Sequence, residues 1–267
     1  MTAYAAEDHY LKSRPARLPP TTIQSLRIGP MSEAQAPRFD QLNKLLDPGY
    51  QAVETGYCQR QDGSWYVAVK TDFPGTTGPM LDWWFCWHTG HSNRYRIWHP
   101  TAHTSAVSTH PERYDGLSRS NCKLYVGDTH HVVEDIGTGD ENLSIRFVSP
   151  DAFGFDTSRF AEAGIETAIC GYVGRRYLPA EFIRMTHLVR RTESGCEMRS
   201  RFWVGEDVQL KFGRGLQGLV NRGFRLPGVR QALFPNRLGF HLAMHCAQEY
   251  HHLSGLLPQL YREFAVN

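Results

Sequence analysis

Three runs of the chain carry side chains able to hold a metal ion. Near the C-terminus stand His241, His245 and Glu249, an H-x-x-x-H-x-x-x-E string. Side chains four apart project from one face of a helix, so His245 and Glu249 can reach a single ion, with His241 one turn back. Upstream, His99-Pro-Thr-Ala-His103 offers two further imidazoles. Between them, His130-His131-Val-Val-Glu134 reads as a strand in which His130, Val132 and Glu134 share a face. If that face looks into a cavity under the helix, Glu134 meets the terminal histidine. Each string alone also describes an ordinary polar face, and Asp128, Asp135 and Asp140 read as solvated or turn residues.

The elements that must position these groups are legible in outline. Residues 1 to about 30 are proline-dotted and polar, an arm for the surface or for a partner subunit. A short amphipathic helix is predicted from Ser32 to Leu46, stopped by Pro48-Gly49. Residues 51–70 predict a hairpin about Asp62-Gly63. Pro79 then opens an apolar helix, MLDWWFCWH, in which Trp83, Trp84 and Trp87 pack first and line a pocket second. From 95 to 235 short β-rich runs alternate with turns, which predicts a curved antiparallel sheet. The last thirty residues predict a long helix whose end Gly255 and Pro258 interrupt. The expected class is α+β: a curved antiparallel sheet gripping a long C-terminal helix (helix-grip, START-like), with a small N-terminal region.

Composition excludes several classes. Of 267 residues, 41% are hydrophobic and 21% charged, ordinary for a globular chain with a sizeable core. Twenty-nine basic against 27 acidic residues leave +2, with no strong pull toward nucleic acid or a membrane. No apolar run reaches the roughly 18 residues of a membrane span. The first twenty residues lack the apolar core of a signal peptide. Six cysteines, at 58, 86, 122, 170, 196 and 246, form no C-x-x-C pair and read as reduced thiols of a cytoplasmic protein.

Taken in order, these residues resemble the 2,4-diacetylphloroglucinol hydrolase and phloretin hydrolase family of zinc enzymes. That family holds its metal with two histidines and two glutamates, the last two as H-x-x-x-E in the C-terminal helix. Here His103 and Glu134 are 31 apart, and His245 and Glu249 follow after another 111. The WWFCWH segment adds to the likeness, which runs from there to the end of the chain. The resemblance implies a Zn2+ site of His103, Glu134, His245 and Glu249, with His103 preferred to His99 because it reproduces the spacing. It implies Tyr95 as a substrate-contacting residue and His187 as a substrate contact or a support for the metal site, with either as the general acid. A substrate pocket would include Trp84, Phe202, Trp203 and His241. A family tyrosine would fall near Phe202 or Trp203, and a family asparagine at Ala106, so those two polar contacts are absent here. The resemblance further implies a homodimer, with residues 1–60 as arm and dimerisation region and 61–267 as the catalytic domain.

Chemistry follows from the ligand types. Two imidazoles and two carboxylates suit zinc with a position left for water, whose pKa falls to roughly 7. An acylphloroglucinol tautomerises into a β-diketone, which hydroxide cleaves in a retro-Claisen step, releasing a carboxylic acid. Two other classes share these features. Two histidines and a carboxylate also form the site of a non-haem iron dioxygenase of β-diketones. A helix-grip cavity without metal could instead carry an aromatic polyketide unchanged.

Overall fold

The computed structural model describes residues 3–120, 123–211, 213–226 and 228–265. Along the chain run α1 (Ala3–Leu11), α2 (Pro20–Arg27), β1 (Gly56–Gln59), β2 (Trp65–Pro74), α3 (Gly78–Trp87) and α4 (Ser92–Trp98). Strands β3 (His103–Ser108), β4 (Thr129–Asp135) and β5 (Asp140–Val148) follow, then the short α5 (Pro150–Phe153). Three long strands come next: β6 (Ile165–Arg175), β7 (Ala180–Thr192) and β8 (Gly195–Leu210). The chain finishes with α6 (Gln217–Phe224), α7 (Val229–Leu233) and α8 (Leu238–Phe264). The eight strands form one antiparallel sheet in the order β1-β2-β8-β7-β6-β5-β4-β3, with α8 lying along β1 and β2. This is the α+β architecture the sequence predicts.

Strand periodicity sorts side chains between two cores. Val67, Val69, Ile169, Val189, Met198 and Phe202 face α3, α4 and α8. Their neighbours Tyr66, Ala68, Ala168, Cys170, Leu188 and Trp203 face a second core beneath the 33–46 segment and α5. The hairpin at Asp62-Gly63 forms as expected, because Gly63 takes the left-handed conformation (φ 83°) the turn needs.

Several expectations need correction. The 32–46 stretch is two 3-10 segments, Glu33–Gln35 and Phe39–Leu46, because Pro37 holds Ala36 out of the helical region between them. The N-terminal arm, expected on the surface or on a partner subunit, contains α1 and α2 and makes contacts with the rest of its own chain. Tyr10 donates to Glu263 at 2.7 Å, the Ala16 amide donates to His252 Nδ1 at 3.2 Å, and Leu26 is fully buried. Strands β1 and β2, on either side of residue 60, pair directly. Residues 95–98, 214–224 and 229–233 are helical rather than β. Finally, α8 continues through Pro258 to Phe264. Leu253, Leu257 and Leu260 are fully buried on either side of the proline, and that packing offsets a local cost of about 3 kcal/mol. Cys58, Cys170, Cys196 and Cys246 are buried thiols; Cys122 lies outside the described residues. Among the described residues no helix is long and apolar enough to cross a membrane.

Candidate metal centre

The site is assembled by one strand pair and one helix. His103 opens β3 immediately after α4, its amide donating to the His99 carbonyl at 2.9 Å. Across β3–β4 its partner in register is Glu134, and directly opposed residues present their side chains on the same face. Over that face α8 lays His245 and Glu249.

Ligand atoms of His103, Glu134 and His245 all lie within 4.8 Å of one another, the one such group among the described residues. The Nε2 atoms of His103 and His245 are 3.4 Å apart. His103 Nε2 stands 3.7 Å from Glu134 Oε2 and 3.4 Å from Glu249 Oε2, and His245 Nε2 is 3.8 Å from Glu249. Four atoms about 2.0–2.2 Å from a tetrahedral centre would stand about 3.3–3.6 Å apart. The spacing of His103, Glu134 and His245 therefore fits a single small cation, with Glu249 beside the two histidines.

Electrostatics point the same way. Burial pushes both carboxyls up, Glu249 well above the usual range with Glu134 adding to the effect. Burial also drives His103 well below its ordinary value, with His245 and His99 contributing, and takes His245 to about 4. The imidazoles are thus neutral, the form that binds metal. Two buried carboxyls side by side are relieved by a dication between them.

Tyr95, buried in α4, supports two of these groups at once. Its carbonyl can only accept, so the 3.0 Å contact from His103 Nδ1 fixes that nitrogen as donor and turns the Nε2 lone pair toward the cluster. Its hydroxyl donates to Glu134 Oε2. Burial and the neighbouring Glu134 push the phenol well above its ordinary value, so it stands protonated as the donor of this bond.

His187, on β7, is buried a layer deeper. Its Nδ1 meets Ser200 Oγ at 2.8 Å and its Nε2 meets the Tyr250 hydroxyl at 2.9 Å. Burial lowers it to about 3, so the ring is neutral. Phe202 stands beside it, ring centroids 5.8 Å apart. Trp203, one residue on, points to the opposite face, donates to the Pro37 carbonyl at 2.9 Å and packs on Phe39 and Tyr66. The alternation of the strand thus places this residue, expected in the pocket, in the second core. Trp84 is fully buried and meets the site through Trp98, whose ring touches both His103 and Tyr250. His241 is half-buried over the β4–β5 turn, where a side chain at Gly137 (φ 99°) would strike it. His99 stacks parallel on His245, centroids 5.2 Å apart, outside the converging trio. Ala106 is buried on β3.

Tyr250 and Ser200 are the residues sequence reasoning missed. Cys246, Tyr250, Leu253 and Leu257 form the fully buried stripe of α8. A tyrosine in such a stripe needs a partner for its hydroxyl, and that was the available signal.

A family model described as the DAPG hydrolase PhiG domain matches residues 36–262. A 2,4-diacetylphloroglucinol hydrolase from a Pseudomonas species is 30% identical over 253 residues, 94% of this chain and 85% of that protein. Phloretin hydrolase of Eubacterium ramulus is 33% identical over 260 residues, 95% of this chain and 88% of its own. Among solved structures, norcoclaurine synthase of Thalictrum flavum with dopamine and hydroxybenzaldehyde matches at 13% identity and a TM-score of 0.33, covering 83% of this chain and 97% of that one. With the family match spanning nearly the whole sheet and the terminal helix, the chain belongs to the 2,4-diacetylphloroglucinol hydrolase family.

Proposed function

We propose that the protein is a zinc-dependent hydrolase that cleaves the carbon–carbon bond between an acyl group and a phloroglucinol ring. The observation that carries this reading is the convergence of His103, Glu134 and His245, with Glu249 beside them, in a buried site. Relatives named for hydrolysis of 2,4-diacetylphloroglucinol and of phloretin supply the substrate class.

His103, Glu134, His245 and Glu249 would hold the zinc, which when bound would supply a Lewis acid for the acyl carbonyl and lower the pKa of water to about 7. The protein's own groups do the rest. The substrate ring tautomerises at the carbon bearing the acyl group. Oxygen from water joins the acyl carbon, the ring–acyl bond breaks, and its electron pair passes into the ring as a phenolate-enolate. The ring carbon gains its proton in that tautomerisation, before the bond breaks, and the departing phenolate oxygen takes one up afterwards. The Tyr250–His187–Ser200 chain of hydroxyl and imidazole groups is the proton route we assign. Tyr95 holds His103 and Glu134 in place. Val132, Met185 and Phe202, apolar residues of the core between sheet and helix, give a flat aromatic ring a dry wall. A cytoplasmic homodimer joined through residues 1–60 completes the reading.

The test is elemental analysis of protein prepared without added metal, alongside a His245→Ala, Glu249→Ala double variant. About one zinc per chain is expected in the parent and none in the variant. Phloretin and 2,4-diacetylphloroglucinol should then release acid with oxygen excluded. Iron with strict oxygen dependence would replace this reading by a dioxygenase. Tight polyketide binding by metal-free protein without turnover would replace it by a carrier.

A further inference from the structure

Helix α6 is held to the sheet by the wrong side chains for an ordinary surface helix. Gln217 and Asn221, one turn apart, bond to β8: Asn221 Oδ1 accepts from the Val208 amide at 2.8 Å, Gln217 Oε1 accepts from the Leu210 amide at 2.8 Å, and Gln217 donates to the Val208 carbonyl. Leu219 falls on the opposite side of the helix. It is 70% exposed, and Leu216, Leu226 and Leu233 of the same segment are each 58–59% exposed. Amides face in and leucines face out. The Lys211 amide donates to the Pro179 carbonyl, which sets the β6–β7 tip beside the entry to α6, and Tyr177 and Leu178 at that tip are also exposed. Six exposed apolar side chains on one short segment and the tip beside it suit a contact surface.

Charge identifies the cover. No acidic residue occurs between Asp207 and Glu249, whereas Lys211, Arg214, Arg222, Arg225, Arg230 and Arg237 fall in that interval. Arg225 pairs with Asp207 and Arg230 with Asp62. Arg222 and Arg237 are exposed, as is Arg176 next to Tyr177. The net charge of +2 conceals this asymmetry. Two copies meeting through this face would oppose cation to cation. An anionic phospholipid surface answers both features, taking the leucines into its acyl boundary and the arginines among its headgroups.

We infer that the described residues of 213–226 and 228–237, with the Tyr177-Leu178 tip, form a peripheral docking surface for anionic lipid. The inference is independent of the hydrolase reading, since none of these residues touches the metal centre.

The experiment is sedimentation of the full chain with vesicles of phosphatidylcholine, with and without phosphatidylglycerol, at low salt and at about 0.5 M salt. Binding is expected to the anionic vesicles alone and to fall at high salt. Leu219→Ser with Leu226→Ser should weaken it more than tenfold, and Arg222→Glu or Arg176→Glu by about fivefold or more each. Melting temperature and zinc content of the variants should match the parent. The salt dependence of the parent tests the idea without any variant. Equal binding to both vesicle types, or to neither, overturns it. A dimer in light scattering that the leucine variants split would also overturn it, by naming a second copy as the occupant.

Discussion

The ring of Tyr95 lies flat on the imidazole of His103, centroids 3.9 Å apart and planes within 5° of parallel. The same residue accepts from that imidazole through its carbonyl and donates to Glu134 through its hydroxyl. One residue of α4 therefore sets the orientation of two cluster members on different strands, one through its backbone and ring and the other through its hydroxyl. Tyr95→Phe keeps the stack and deletes the donor. We expect zinc affinity to fall about 10–100-fold, read by competition with a chromophoric chelator. Unchanged affinity would mean that Glu134 is oriented by something else.

The Tyr250–His187 contact predicts a different signature. Tyr250→Phe and His187→Gln should each lower kcat by about a hundredfold or more while leaving one zinc per chain. Loss of zinc together with activity would instead assign both residues to the support of the metal site.

Acid should destabilise the protein well above the carboxylate range. His88 and His187 are each held near 3 by burial, against about 6.5 in an unfolded chain. As pH falls below about 6.5 the unfolded state takes up protons that the folded state refuses. Stability therefore drops between about 6.5 and 3, by up to ~1.4 kcal/mol per pH unit for each histidine. Urea melts at pH 7.5 and 5.5 measure this slope, and His187→Gln should reduce it by about one proton. A flat profile would show that both rings are protonated in place.

On the other face of the sheet, the fully buried Arg199 and Arg201 share the Glu54 carboxylate. Burial alone would raise that carboxyl, but the two arginines outweigh it and hold it at about 2. Its contribution is present above the unfolded value and is lost as pH falls toward 2. Glu54→Gln leaves two buried cations short of a partner and should cost about 3–5 kcal/mol of stability in denaturant melts. Zinc content should stay the same, which separates this pair from the metal centre.

How much of this was legible follows the range of each signal. The hairpin at Asp62-Gly63, the Pro79 helix and the His245–Glu249 pair depend on residues within a turn of one another, so the sequence by itself determined them. The resemblance singled out His103 and Glu134 by order and separation. Their pairing in register, and their meeting with His245 more than a hundred residues on, was decided by how α8 packs across the sheet. Tertiary packing also carried α8 through Pro258, where buried leucines outweigh a local breaker. It turned Phe202 inward and Trp203 outward, a choice between two faces that depends on register alone. Proton-bearing partners such as Tyr250 and Ser200 became visible only there, because a hydrogen bond between a helix and a distant strand leaves no periodicity in either segment. Local geometry is written in a few neighbouring residues, whereas contacts across the chain depend on which apolar faces bury each other.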